Sequence, residues 1–185
     1  MTIRTKMAPW GMPEVDPYDP STVLIEATGA ADWNELLPEG VYYLILAGGG
    51  GVWANNGWNG QGGGGGAVWE GEFYNPSSCQ CALHAGPART PAGSTLTLGG
   101  QLLLTCAGGT NASGGDTTGK GGIVTIDPAF VIVQQDICEA GYSPGWNDGT
   151  VKTFCTINGW GTNGGRGQSA PLPGGFRLTY LRYEP

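Results

Sequence analysis

Charge is scarce in this 185-residue chain: only 12% of its residues are Asp, Glu, Lys or Arg, about half the usual share. Just 8 of them are basic and they are scattered, against 15 acidic, for a formal net charge of −7. Gripping phosphates needs clustered Lys and Arg, so a nucleic-acid partner is excluded. One histidine, His84, is all the chain offers for neutral-pH proton transfer. No apolar run approaches the roughly 18 residues of a membrane-spanning helix, so membrane insertion is not expected. Met1 to Pro20 lacks the apolar stretch of a secretory signal, which points to folding in a cytosol. Helical periodicity over ten or more residues is missing throughout, which leaves strands as the structural currency.

What is abundant is glycine, 36 residues, with 13 prolines beside it. That share borders on low complexity, yet 7 Trp and 7 Tyr argue against disorder, which is poor in aromatics and rich in charge. The glycines are also blocked. Eleven of the 19 residues from 48 to 66 are glycine, and further blocks occupy about 108–122 and 159–175. Each block is bordered by apolar, β-branched or aromatic runs.

Those runs predict an all-β fold. Val23–Ile25, Val41–Ala47 (VYYLILA), Ala67–Tyr74 (AVWEGEFY) and Cys79–His84 read as strands. Ser94–Leu98 and Leu102–Cys106 read as a hairpin around Gly99-Gly100, with Gln101 on the strand side. Ile123–Ile126, Phe130–Gln134, Val151–Ile157 and Phe176–Tyr183 complete the set, while Trp33–Leu37 fits a helical turn or a strand. Residues 1–22, with Pro9, Pro13, Pro17 and Pro20, read as an extended arm suited to attachment or subunit contact, or as a frayed terminus. Residues 23–185 form one glycine-rich β domain, in which about 127–158 has the look of an insertion.

Glycine inside a strand costs roughly 0.5–1 kcal/mol against Ala, so a run of five needs a reason. Polyproline-II geometry supplies one. It has three residues per turn and directs backbone groups outward, and without Cβ atoms such segments pack side by side and bond to one another. The expected fold is therefore a β-sandwich-like core carrying glycine segments as polyglycine-II helices. Gly48, Gly49, Gly50, Gly51, Gly62, Gly63, Gly64, Gly65, Gly66, Gly121 and Gly122 serve as scaffold. Flexible loops are the competing account.

Pro38-Glu39-Gly40-Val41 leading through YYLILA into Gly48–Gly51 resembles the glycine-rich domains of bacteriophage tail-fibre and tip-adhesin proteins. So do Gly62–Gly66 entering AVWEGEFY, the sets Gly108-Gly109, Gly114-Gly115 and Gly119–Gly122, and Pro173-Gly174-Gly175 before FRLTYLRY. The resemblance covers about residues 33–183. It implies a virion protein of tail or fibre, made in the host cytoplasm. Its implied partners are other virion proteins and a host surface glycan or outer-membrane protein, and it implies a homo-oligomer, in the manner of trimeric fibres. The short length and the arm depart from the family pattern. They leave open an adhesin, a purely structural fibre, spike or capsid-decoration subunit, and a non-viral extracellular or ice-binding protein.

Catalytic motifs are weak. Gly141-Tyr142-Ser143-Pro144-Gly145 matches a nucleophile elbow, but no helix follows and His84 lies upstream of the serine. Gly159–Gly164 matches a dinucleotide fingerprint without a βαβ unit. Asn111-Ala112-Ser113 is a glycosylation sequon that needs a secretory route to matter. Cys79, Cys81, His84 and Cys106 could converge on zinc, but core thiols are the simpler reading. Five cysteines suggest thiols without disulfides, with a Cys138–Cys155 pair across a hairpin as the alternative. No enzyme, cofactor or metal is expected. The candidate binding residues lie in Gly/Asn-rich loops: Trp53, Asn55, Asn56, Trp58 and Asn59, then Trp146, Asn147 and Asp148, then Trp160 and Asn163. Trp stacks on sugar faces and Asn hydrogen-bonds adaptably. The same rings could instead roof the glycine layer.

Overall fold

A computed structural model describes residues 23–55, 60–113, 118–144, 152, 154–157, 160–162 and 170–182. The arm expected over 1–22 lies outside them. Among the described residues there is no helix, and the strands run in chain order as follows. The first seven are β1 (Val23–Thr28), β2 (Ala31–Leu37), β3 (Gly40–Ala47), β4 (Ala54–Asn55), β5 (Gly60–Gln61), β6 (Val68–Asn75) and β7 (Cys79–Ala85). They are followed by β8 (Ser94–Leu98), β9 (Gln101–Cys106), β10 (Val124–Ile126), β11 (Ile132–Glu139) and β12 (Gly175–Arg182). One antiparallel sheet has the order β1-β12-β3-β6-β11 and a second the order β10-β9-β8-β7-β2, with β4-β5 as a small third pair.

The two large sheets face each other across one apolar core. Tyr42, Leu44, Leu46, Trp69, Phe73, Phe176 and Leu178 from the first sheet meet Leu37, Cys81, Leu83, Leu96, Leu104 and Cys106 from the second. Phe130 closes one end of this core, its ring 5.3 Å from those of Trp69 and Phe73. The unbroken apolar run of β3 is explained by burial on both faces: all eight of its residues are buried. Its second face, with Val41, Tyr43, Ile45 and Ala47, packs with Val68, Cys155, Trp160 and Leu181 in a smaller core.

Three expectations need correction or sharpening. Trp33–Leu37 belongs to strand β2, paired with β7 in continuous register. Of Val151–Ile157, the described residues 152 and 154–157 are not in a strand. Cys155 and Ile157 instead cover the outer face of β3, anchored where Thr156 donates its N–H and its hydroxyl to the buried Glu70 carboxylate at 2.8 and 2.7 Å. The strand expected at Phe130–Gln134 is displaced to Ile132–Glu139. Phe130 is drawn into the core, and the polar residues after it can pair with β6 because an edge strand that faces solvent needs no apolar alternation. Residues 132–139 thus form the edge of the first sheet.

At one end of the sandwich the strands run into glycine. β3 and β9 exit into Gly48–Gly51 and Ala107–Gly109, while β6, β10 and β12 are entered from Gly62–Ala67, Gly119–Gly122 and Pro173-Gly174. The run 62–67 shows how these segments are held. Gly64 and Ala67 donate to Thr110 and Ala107 of one neighbour; Gly62 and Gly65 accept from Gly119 and Gly122 of a second; Gly64 and Ala67 accept from Gly51 and Gly48 of a third, all at 2.7–3.0 Å. Each neighbour is met again after three residues. That is the repeat of a polyproline-II-type helix, whereas a strand would repeat after two. Gly65 and Gly66 donate to two further segments, at Tyr142 and Gly161. The same repeat links the first and second blocks, where Gly109 and Ala112 donate to Gly49 and Val52.

Glycine is a steric requirement here. A Cβ placed on Gly48, Gly51, Gly63, Gly64, Gly66, Gly109 or Gly122 would fall closer than 3.0 Å to backbone atoms of an adjacent segment. The layer lies against the sandwich through Ser94, whose hydroxyl donates to Ala47 O at 2.6 Å and accepts from Gly86 N at 2.9 Å.

Candidate functional site

The loop residues expected to bind fall into three groups. Trp53 is half-buried, at the start of the small β4-β5 hairpin, and Asn55 lies in β4. Asn56, Trp58 and Asn59, like Trp146, Asn147, Asp148 and Asn163, lie outside the described residues. Trp160 is a correction: it is 5% exposed and belongs to the smaller core. Its indole lies against Gly175, where a Cβ would approach ring atoms to 2.6 Å. It therefore packs where surface contact was one of two expectations. At the base of the same hairpin, Gln61 is 1% exposed and neither of its amide atoms has a hydrogen-bond partner among the described residues.

Residues of the chemical motifs make structural contacts. Ser143 Oγ accepts the Gly121 N–H at 2.8 Å and so ties residues 141–143 to the glycine layer. Gly161, inside the dinucleotide-like motif, accepts from Gly66 and donates to Pro173. In the sequon, the Asn111 side chain accepts from Val52 N and donates to Arg89 O, both at 2.8 Å. Strand alternation puts Cys79 and Cys81 toward the core and His84 on the opposite face. Among the described residues, no group of three or more His, Cys, Asp or Glu could hold a metal ion. None of the five cysteines forms a disulfide. Burial pushes the Cys81 thiol up to about 12 and Cys106 well above its ordinary value. It also raises Cys155 to about 12, with the Glu70 carboxylate adding to the rise. These thiols are held protonated in apolar surroundings, unlike reactive cysteines.

One polar surface was not expected. On the outward face of the second sheet, register pairs Asp32 with His84, His84 with Thr95, Thr95 with Thr105, and Thr105 with Thr125. Directly paired residues share a face, so these five side chains form one row across all five strands. At about 4.8 Å per strand the row spans roughly 19 Å. A second, parallel row places Asn34 beside Ala82, Ala82 beside Thr97, and Thr97 beside Leu102. His84 Nδ1 and Asp32 Oδ1 are 2.7 Å apart. The hydroxyls of Thr95, Thr97, Thr105 and Thr125 have no hydrogen-bond partner among the described residues. The face is hollowed in two places. One shallow depression is lined by Asp32, Asn34, His84, Thr95 and Thr97, and the other by Leu102, Thr105, Thr125 and Asp127. They adjoin where Thr95 pairs with Thr105.

The signal for this row is in the sequence as alternation. Threonine or histidine takes the outward position in CALHA, STLTL, LTC and VTI. Only the register, however, lines these positions up. No family model matches the chain, and no curated protein matches it.

Proposed function

We propose that this chain is a non-catalytic attachment protein of the bacteriophage tail-fibre or tip-adhesin kind. In this reading the glycine layer keeps recognition surfaces rigid. The arm, residues 1–22, engages a virion partner, and the subunits assemble as a homo-oligomer, a trimer in the manner of fibres. The observation that carries the reading is the three-residue hydrogen-bond repeat among the glycine blocks. It spends glycine, the costliest residue to order, on a layer that holds loops and sheet faces rather than on a pocket for chemistry. Rigid scaffolds with exposed loops are built for recognition.

Immunogold labelling of phage particles tests the placement: label on the tail or fibre is expected, and absence from the particle would refute it. Binding of the purified chain to host cells tests the attachment role. Trp53→Ala with Trp58→Ala should abolish binding at an unchanged melting temperature. The burial of Trp160 favours a second reading, a structural fibre, spike or decoration subunit. In that case the same substitutions impair folding or assembly and cell binding is never seen. Hydrolysis of a chromogenic ester that Ser143→Ala removes would overturn the non-catalytic role itself.

A further inference from the structure

We infer that the outward face of the second sheet, along Asp32, His84, Thr95, Thr105 and Thr125, is a binding trough for an uncharged, hydroxyl-rich saccharide chain. The inference rests on the attachment reading above, to which it adds a site and a ligand class.

The row offers donors and acceptors at strand spacing, and each threonine brings a methyl group beside its hydroxyl. A sugar presents the same mixture of hydroxyl edges and C–H faces. The four threonine hydroxyls are uncommitted within the described residues, so binding breaks no internal hydrogen bond. The side chains stand on paired strands, which spares most of the ordering cost that loops pay. The roughly 19 Å length suits several sugar units and exceeds what one small metabolite would fill.

Charge narrows the class. Among the described residues neither depression is lined by Lys or Arg, whereas Asp32 and Asp127 contribute carboxylates. Nucleic acids, phosphorylated headgroups and acidic glycans would be repelled. A basic peptide has little to hold it, since Asp32 is engaged by His84 and Asp127 accepts from Gln101 and Ala129 N. An apolar partner would find scattered side chains: Leu102, 53% exposed, in the second row, and the exposed Leu36 and Ile123 at opposite edges of the sheet.

The test is amide and side-chain NMR of the full chain with neutral oligosaccharides from dextran, mannan and galactan. Alginate oligomers and single-stranded DNA serve as charged controls. Expected are shifts clustered at His84, Thr95, Thr97, Thr105 and Thr125 with at least one neutral probe and none with the charged ones. The isosteric double variant Thr95→Val with Thr105→Val should weaken that binding at least tenfold at an unchanged melting temperature. Val133→Ala, on the exposed edge strand of the first sheet, should leave it intact. No shift with any neutral probe, or equal shifts with alginate or DNA, overturns the inference, as does thermal hysteresis without saccharide shifts. Host-cell binding that survives the threonine double variant sinks the trough but keeps the attachment role. Absence of host-cell binding together with saccharide shifts in the trough sinks the attachment role alone.

Discussion

Gly64→Ala separates a packed glycine layer from a flexible loop by the sign of its effect. The added Cβ would fall closer than 3.0 Å to the backbone carbonyl of Lys120 and to Gly121 N. No rotamer relieves a clash with backbone, so one segment must move. Gly64 donates to Thr110 and accepts from Gly51, and the displaced segment donates from Gly119 to Gly62 and from Gly122 to Gly65. Losing two or three of these bonds at about 1 kcal/mol each, with a buried group left unsatisfied at about 1–3 kcal/mol, gives a cost of about 3–6 kcal/mol. At roughly 2–4 °C per kcal/mol for a chain of this size, the melting temperature falls by roughly 6–24 °C. In a flexible loop the same change stabilises by about 0.4–1 kcal/mol, because it restricts the unfolded chain. Gly100→Ala is the comparator. Its Cβ would have nothing within 4 Å, and only its φ of +82° resists alanine, a cost of about 1–2 kcal/mol. Urea unfolding of the three proteins reads the difference. A Gly64→Ala variant as stable as the parent, or more so, refutes the packed layer.

Thr156→Val should lower stability by about 1.5–3 kcal/mol in chemical unfolding, since its hydroxyl donates to the buried Glu70 carboxylate. Trp160→Ala should cost about 3–5 kcal/mol by the same measurement, as for any large core aromatic. In the native chain iodoacetamide at pH 8 should label the exposed Cys138, whereas Cys81, Cys106 and Cys155 label only after denaturation, as read by peptide mass spectrometry. Cys81 and Cys155 titrate at about 12 in the folded chain against an ordinary 9.0. The folded state therefore holds protons that the unfolded state releases. Stability should be fully present below pH 9 and fall between pH 9 and 12, by up to about 1.4 kcal/mol per pH unit for each thiol.

The strands were legible where one local pattern determined them. VYYLILA read as a strand, whose burial on both faces the structure adds, and Gly99-Gly100 between two apolar runs read as a hairpin. Trp33–Leu37 was ambiguous because its seven-residue strand lies at an edge, where exposed Asn34, Glu35 and Leu36 break the alternation. The strand expected at Phe130–Gln134 was misplaced for a similar reason: almost all of Ile132–Glu139 is exposed, so burial imposed no pattern. The glycine blocks pointed to a layer, but not to which blocks touch. The contact of Gly64 with Lys120, and that of Gly66 with Gly48, depend on how the strands leave the sandwich. Trp160 could not be assigned from its neighbours, because glycine around a tryptophan looks the same whether the ring points to solvent or fills the space that glycine leaves. The threonine row was invisible for a different reason. Each threonine is unremarkable in its own strand, and only cross-strand register makes five separate positions into one surface.

The same absence of side chains that forms the glycine layer also joins the two sheets. Facing sheets stand about 10 Å apart, because interdigitating side chains fill the gap. Ala67 leads into β6 of the first sheet and Ala107 follows β9 of the second, yet Ala67 N bonds Ala107 O at 3.0 Å. Between the apolar core and these two residues, the gap has closed to a single hydrogen bond. A side chain at Gly48, which follows β3 of the first sheet, would meet Cys106 O and Ala107 O of the second and wedge the gap open. The layer is therefore a clamp at one end of the sandwich as well as an extension of it. β9, which carries Thr105, ends in this clamp, and β8, which carries Thr95, begins with Ser94, hydrogen-bonded to Ala47 O. The order of the outward threonine row thus depends on a glycine that never touches it, so Gly48→Ala should disorder the row, read as lost amide protection at Thr95 and Thr105, without altering one of its residues.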